Sequence, residues 1–268
     1  MGAALVTGAT GGIGSAVVAK LLEHGHTVFA GVRGEAVVPA GATRVRMDVT
    51  DPAAVRAAAE QVAGAVGGLD AVVNNAGLIV QGPLELVPPE HLRRQFEVNT
   101  LGPAYVTQGF LPLLRAGHGR VVNVSAPSAR VPFPMMAPIS ASKAALQSLS
   151  EAQRLELAAW SVPVILIEPS ATDTAIFDKA AAVMARGDLY RDHLAGFEGA
   201  MARQKLAPVE PVARAIVTAV EARRPKRRYA VGRDARLAGL LARLPIGLRE
   251  RAVVAALGLG KVRAVAPV

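Results

Sequence analysis

The 268 residues include no cysteine, 30 Lys and Arg against 21 Asp and Glu, and 51% apolar side chains of which few are aromatic. A disulfide framework and a thiolate metal site are therefore excluded, the five histidines lack any H-E-x-x-H spacing and point to no metal, and the scarcity of aromatics argues against a nucleic-acid groove. The formal charge of +9 is lopsided, because from Arg203 onward 15 basic residues stand against 4 acidic ones.

The chain opens on a short β-compatible run, Ala3–Thr7, that ends in a glycine-rich turn. An Ala/Val/Leu-rich stretch over 12–23 then carries helical spacing. Strands are predicted over 27–32 and 43–47, followed by a helix over 52–63 with Asp51 as its cap and Pro52 in its first turn. A strand over 69–74 precedes a long helical region from Pro88 to about Arg115. A strand over 120–125, a helix over 139–160 and a strand over 162–168 complete an alternation that predicts an α/β fold with a parallel sheet. The looser segment 170–205 is expected to form a lid over a substrate cleft. A helix at 211–221 and a strand at 228–231 follow, and 233–268 is expected as a C-terminal helical extension of a single domain covering 1–268. No basic segment or long apolar run precedes Ala3, and no apolar stretch approaches a membrane span, so a soluble cytoplasmic protein is expected.

The turn Thr7-Gly8-Ala9-Thr10-Gly11-Gly12-Ile13-Gly14 lies between a strand and a helix. Glycines there let the backbone approach a pyrophosphate, and the helix N-terminus supplies N–H donors and a favourable dipole. The spacing T-G-x-x-x-G-x-G resembles the fingerprint of the short-chain dehydrogenase/reductase family, and three later stretches match that family in order. Asp48-Val49 corresponds to its adenine-contacting pair, Asn74-Asn75-Ala76-Gly77 to its cofactor-supporting strand end, and Asn99 to the asparagine that holds a proton-relay water. The resemblance runs along nearly the whole chain and implies a Rossmann fold, a doubly wound parallel β-sheet flanked by helices.

The same resemblance implies a nicotinamide dinucleotide held by Thr7, Gly8, Thr10, Gly12, Ile13, Gly14, Asp48, Val49, Asn75, Ala76, Gly77, Lys143, Pro169, Thr172 and Thr174. Pro169-Ser170-Ala171-Thr172-Asp173-Thr174 resembles the family's P-G-x-x-x-T segment, with Ser170 replacing Gly. At the end of the second strand Val32 stands where an acid would bind the ribose of NAD, and Arg33 follows it, which favours NADP(H) over NAD(H).

The family's proton donor is a tyrosine four residues before a lysine, with a serine thirteen residues before that tyrosine. Here the lysine is Lys143, within Ser140-Ala141-Ser142-Lys143, but Ile139 occupies the tyrosine position and Ala126 the serine position. Ser125 adjoins Ala126 and offers a hydroxyl, and Tyr190, in the expected lid, offers a phenol that can fold over the nicotinamide.

Two functions remain open. One is an NADP(H)-dependent oxidoreductase for a carbonyl, alcohol or enone of an apolar substrate, working without the active-site tyrosine. The text around Glu168-Pro169 and Thr174–Lys179, with Arg227–Gly232, resembles the hydroxysteroid- and retinol-dehydrogenase-like branch. The other is a non-redox role such as cyclisation, isomerisation or dehydration, or dinucleotide binding alone. The family resemblance further implies a homo-oligomer, dimer or tetramer, through helices at about 90–116 and 139–160. The basic, leucine-bearing tail is expected to be a set of helix faces packed on the sheet edge, docking on anionic lipids being the alternative.

Overall fold

The structure is a computed structural model that describes residues 2–176, 181–182 and 190–259. In chain order it runs β1 (Ala3–Thr7), α1 (Gly12–Glu23), β2 (Thr27–Val32), β3 (Thr43–Arg46), α2 (Pro52–Ala63), β4 (Ala71–Asn74) and a short β5 (Val80–Gln81). Then come α3 (Pro89–Phe96), α4 (Gly102–Ala116), β6 (Arg120–Val124), α5 (Ala137–Glu156), β7 (Val164–Pro169) and β8 (Ala181–Ala182). The remaining described elements are α6 (Arg191–Arg203), α7 (Glu210–Glu221), β9 (Arg228–Val231), α8 (Arg233–Leu241) and α9 (Ile246–Ala256).

Seven strands form one parallel sheet in the order β3-β2-β1-β4-β6-β7-β9, and β5 pairs with β8 apart from it. Residues 3–6 of β1, 71–73 of β4 and 164–167 of β7 read as unbroken apolar runs because both faces are covered. In β1, Ala4 and Val6 join the core beneath α1 and α7, while Ala3 and Leu5 join the core beneath α2 and α4. Each fully buried Leu, Ile or Val contributes about 1.5–3 kcal/mol, and Leu5, Ile165, Leu166 and Ile167 are all of that kind. Chain direction across the sheet reverses between β1 and β4. In an open parallel sheet, ligands bind at such a switch point, beyond the carboxyl ends of the strands.

Two expectations need revision. The helical region predicted from Pro88 to Arg115 is interrupted by a π-helical turn at Glu97–Leu101, where the Gly102 N–H donates to the Glu97 carbonyl five residues back. The reason is in the sequence: Pro103 has no N–H for the carbonyl four residues before it, that of Asn99, so the α pattern gives way there. The helix predicted at 139–160 begins earlier, at Ala137, and ends at Glu156 in a single tight turn over Leu157–Trp160. The tail forms two helices as expected, and α8 packs beside the edge strand β9 with Ala235 and Ala238 buried; Pro245 ends the turn between α8 and α9, and Leu240, Ile246 and Leu248 are exposed. Asp51 likewise caps α2 as its sequence predicts, accepting the Ala53 N–H at 2.8 Å with Pro52 behind it. Among the described residues no helix is long and apolar enough to cross a membrane, and no cluster of three potential ligands is placed to hold a metal.

Candidate functional site

A cleft of about 830 Å³ opens beyond the carboxyl ends of the sheet strands. One end is lined by the glycine turn and the ends of β2 and β3. The other is an apolar chamber walled by Phe133, Met136, Phe197, Met201, Leu241 and Val253.

The glycine turn is built by contacts only glycine permits. Gly8 has φ +62°, and a Cβ on it would lie 2.9 Å from the Ala76 backbone. A Cβ on Gly14 would stand 2.2 Å from the Gly8 carbonyl, so α1 can approach the turn this closely only without one. From below, the Thr7 hydroxyl accepts the N–H groups of Asn75 and Ala76 at 3.0 Å each, and Asn75 Nδ2 donates to the carbonyls of Thr7 and Gly8 at 3.1 Å. Helix α1 starts without a side-chain cap and without an acid in its first turn, so its leading N–H groups and dipole are left to an anion. This cradle of glycines, open toward a helix N-terminus, fits the diphosphate of a dinucleotide.

Of the predicted cofactor contacts, Gly8, Thr10, Gly12, Ile13, Arg33, Asp48, Val49, Asn75, Ala76, Gly77, Lys143, Pro169, Thr172 and Thr174 all line the cleft. Thr7 and Gly14 do not reach it and act from behind the turn. Thr174 closes over the turn, its Cγ2 sitting where a Cβ on Gly12 would be 2.6 Å away. Arg33 is exposed and makes no hydrogen bond or ion pair with a described residue. Burial alone would raise the Asp48 carboxyl, but hydrogen bonds from the Thr50 N–H at 2.9 Å and hydroxyl at 2.8 Å, with Arg94 and Arg33 nearby, hold it below its ordinary range.

The chemistry-bearing positions meet at the junction of the two ends. Lys143 lies on α5 and is only 7% exposed; its Nζ donates to the Val124 carbonyl at 2.6 Å, and burial pushes its ammonium down to about 8. Ile139, one helical turn earlier, and Ala126 both line the cleft. Ser125 lines it too. Its hydroxyl is buried and has no hydrogen-bond partner among the described residues, while its N–H donates to the Ile167 carbonyl at 2.7 Å.

Two expected catalytic residues do not line the cleft. Asn99 is fully buried behind the cleft, where its side-chain amide clamps Leu78: Oδ1 accepts the Leu78 N–H and Nδ2 donates to the Leu78 carbonyl, both at 3.0 Å. Tyr190 does not line the cleft; its hydroxyl donates to Glu85 Oε2 at 2.6 Å, and its ring tilts against His193. Of the expected lid, residues 177–180 and 183–189 lie outside the described residues, whereas Ile176 and, on α6, Phe197, Ala200 and Met201 line the apolar chamber.

Several participants carry no sequence motif. Gln95 sits one turn before Asn99 and repeats its clamp, accepting from the Val80 N–H and donating to the Leu78 carbonyl at 2.8 Å each. Helical spacing from Asn99 is the signal that would have found it. Arg94 lines the cleft beside Asp48, with its Nη1 donating to the Thr50 hydroxyl at 3.0 Å. Glu168, fully buried at the end of β7, is paired with Arg228 and with Arg130 Nε at 3.1 Å. No local pattern brings those three together.

Comparison with known proteins agrees with this geometry. The family model described as short chain dehydrogenase matches residues 2–184. An NADPH-dependent 3-dehydrocapnine reductase of Ornithobacterium rhinotracheale is 37% identical over 249 residues, 85% of this chain and 87% of that protein. The type 2 11-beta-hydroxysteroid dehydrogenase of Bos taurus is 34% identical, with 93% of this chain and 69% of that protein covered. A short-chain dehydrogenase from Burkholderia cenocepacia, solved in complex with NADP, superposes with a TM-score of 0.76 at 30% identity, over 96% of this chain and 97% of that one. The chain belongs to the short-chain dehydrogenase family.

Proposed function

We propose that this chain is an NADP(H)-dependent oxidoreductase for a carbonyl, alcohol or enone of an apolar substrate, with a proton route that does not use a tyrosine on α5. The observation that carries the reading is one continuous cleft, with the glycine cradle at one end and an apolar chamber at the other. The dinucleotide supplies hydride when bound. Gly8, Thr10, Gly12 and Ile13 would hold its diphosphate against α1, and Asp48, Val49 and Arg94 border the pocket for its adenosine.

Ser125 is a hydroxyl available to a substrate oxygen, since it is buried, without a hydrogen-bond partner among the described residues, and on the cleft wall. Lys143 holds a positive charge at the junction near neutral pH, steadied by the Val124 carbonyl. Ile139 holds no titratable proton, so the proton comes from solvent or from the substrate itself; an enone, protonated at carbon after hydride addition, needs no phenol. A second reading rests on the same two side chains. Ile139 and Ala126 leave the junction without a phenol or hydroxyl at those two positions, which suits a non-redox pocket or one that binds a dinucleotide without turnover. Exposed Leu149, Leu155 and Trp160, on and after α5, support assembly into homo-oligomers through that face.

The preference for NADP(H) rests on Arg33, an exposed guanidinium with no hydrogen bond or ion pair to a described residue, beside Val32, where an acid would be needed to hold the 2′-hydroxyl of NAD. The NADPH-dependent relative and the NADP-bound neighbour support it. A charge-assisted hydrogen bond is worth about 1.5–3 kcal/mol, so Arg33→Ser is expected to weaken NADPH binding roughly 10- to 100-fold and leave NADH unchanged. Quenching of Trp160 or NADPH fluorescence checks this. Equal loss for both coenzymes, or none, would remove Arg33 from the phosphate site.

A further inference from the structure

We infer that the turn joining α8 and α9, with the faces that flank it, is a docking surface for a lipid bilayer carrying anionic headgroups. Six of the large apolar side chains exposed on the described surface fall within 18 residues of one another: Leu237, Leu240, Leu244, Ile246, Leu248 and Val254. The turn itself is exposed without interruption from Arg243 to Leu248, reading Arg-Leu-Pro-Ile-Gly-Leu, and Ile246 at its tip is 65% exposed. A solvated corner of this kind is ordinarily polar, because loops run over the surface where water meets them. Leucine and isoleucine there leave an apolar patch that water solvates poorly.

Charge identifies the occupant. Residues 233–251 hold Arg233, Arg236, Arg243, Arg249 and Arg251 against only Asp234 and Glu250. None of the five arginines has an ion pair or side-chain hydrogen bond with a described residue. Apolar side chains at a corner with uncompensated arginines around them match the layering of an anionic bilayer surface, with headgroups outside and acyl chains within. A second copy of this chain meeting the same face across a two-fold axis would bring the arginines against their own kind.

The surface is also placed at the cleft. Leu237 is 49% exposed and lines the chamber, while Leu241 and Val253, on the inner side of the same two helices, line its wall. A chain seated on a bilayer by this corner has the chamber mouth beside the acyl phase.

The test is co-sedimentation of the full chain with vesicles of phosphatidylcholine alone and of phosphatidylcholine with about one third phosphatidylglycerol. Binding to the anionic vesicles, weakening as salt rises, is expected, with little binding to the neutral ones. Ile246→Ser with Leu248→Ser is expected to lower that binding about tenfold or more, and Arg243→Gln with Arg251→Gln by roughly fivefold for each charge removed. All four side chains are exposed, so circular dichroism and melting should be unchanged. Absence of binding at low salt, or binding indifferent to the Ile246/Leu248 pair, would overturn the proposal. So would sedimentation velocity showing a dimer that those substitutions dissociate without any vesicle binding, since a second copy would then cover the face.

Discussion

Ile139→Tyr combined with Ala126→Ser is expected to raise NADPH-dependent reduction of an apolar ketone by about 10²- to 10⁴-fold over the unaltered chain. Ile139 precedes Lys143 by four residues on α5, so the two side chains share one helix face, and both line the cleft. A phenol placed there lies beside an ammonium already brought down to about 8 by burial, and the nearby cation favours its ionised form. Ala126 also lines the cleft and sits in extended conformation, φ −153° and ψ 157°, which serine adopts without altering the backbone. The two groups act on one oxygen, so each single substitution should give much less than the pair. Loss of NADPH absorbance with a cyclic ketone reads the result. An unaltered chain that already turns over as fast as the double variant would show that these positions do not limit the chemistry.

Arg228→Met is expected to destabilise the fold by about 3–5 kcal/mol, the range for removing one partner of a buried ion pair. Glu168 is wholly inaccessible to solvent, whereas the side chains of Arg228 and Arg130 are 21% and 23% exposed. Removing Arg228 therefore leaves a buried carboxylate with one cation and with Oε2 unpartnered among the described residues. The pair also has a place in the site. Glu168 precedes Pro169 and Ser170 on the cleft wall, Arg130 ends the tight turn Pro127–Ala129 beside Ala126, and Arg228 reaches Glu151 on α5 at 2.9 Å. Three walls of the junction are thus tied to one carboxylate. Urea denaturation measures the loss, and Glu168→Gln with Arg228→Met together should cost less than the sum of the single changes. A loss below about 1 kcal/mol would place the pair with solvent-screened surface bridges.

The order of strands and helices was legible because backbone hydrogen bonding imposes periods of 2 and 3.6 on apolar residues, and because Gly8 and Gly14 mark a turn where a Cβ cannot fit. Asp48, Asn75 and Lys143 were legible through motifs that sit at the ends of strands and on one helix face. The π-helical turn had a visible signal in Pro103 that periodicity alone passes over. Tyr190 shows the opposite limit. Its position in the chain suited a lid residue, but the direction of its hydroxyl is decided by Glu85, 105 residues away. The bonds from Arg130 and Arg228 to Glu168 span 38 and 60 residues, distances at which sequence spacing carries no geometric information. The exposure of Leu240, Ile246 and Leu248 was hidden for a related reason: helical spacing shows that a face exists, and only the tertiary structure shows whether anything covers it.

The proposed chemistry depends on the glycine turn after β1 seating a dinucleotide diphosphate. Isothermal titration calorimetry of the full chain with NADPH and with NADH tests it most directly. Saturable binding of NADPH, about tenfold or more tighter than NADH, is expected. No heat with either coenzyme would overturn the diphosphate seat, and equal affinity for both would remove Arg33 from the phosphate site.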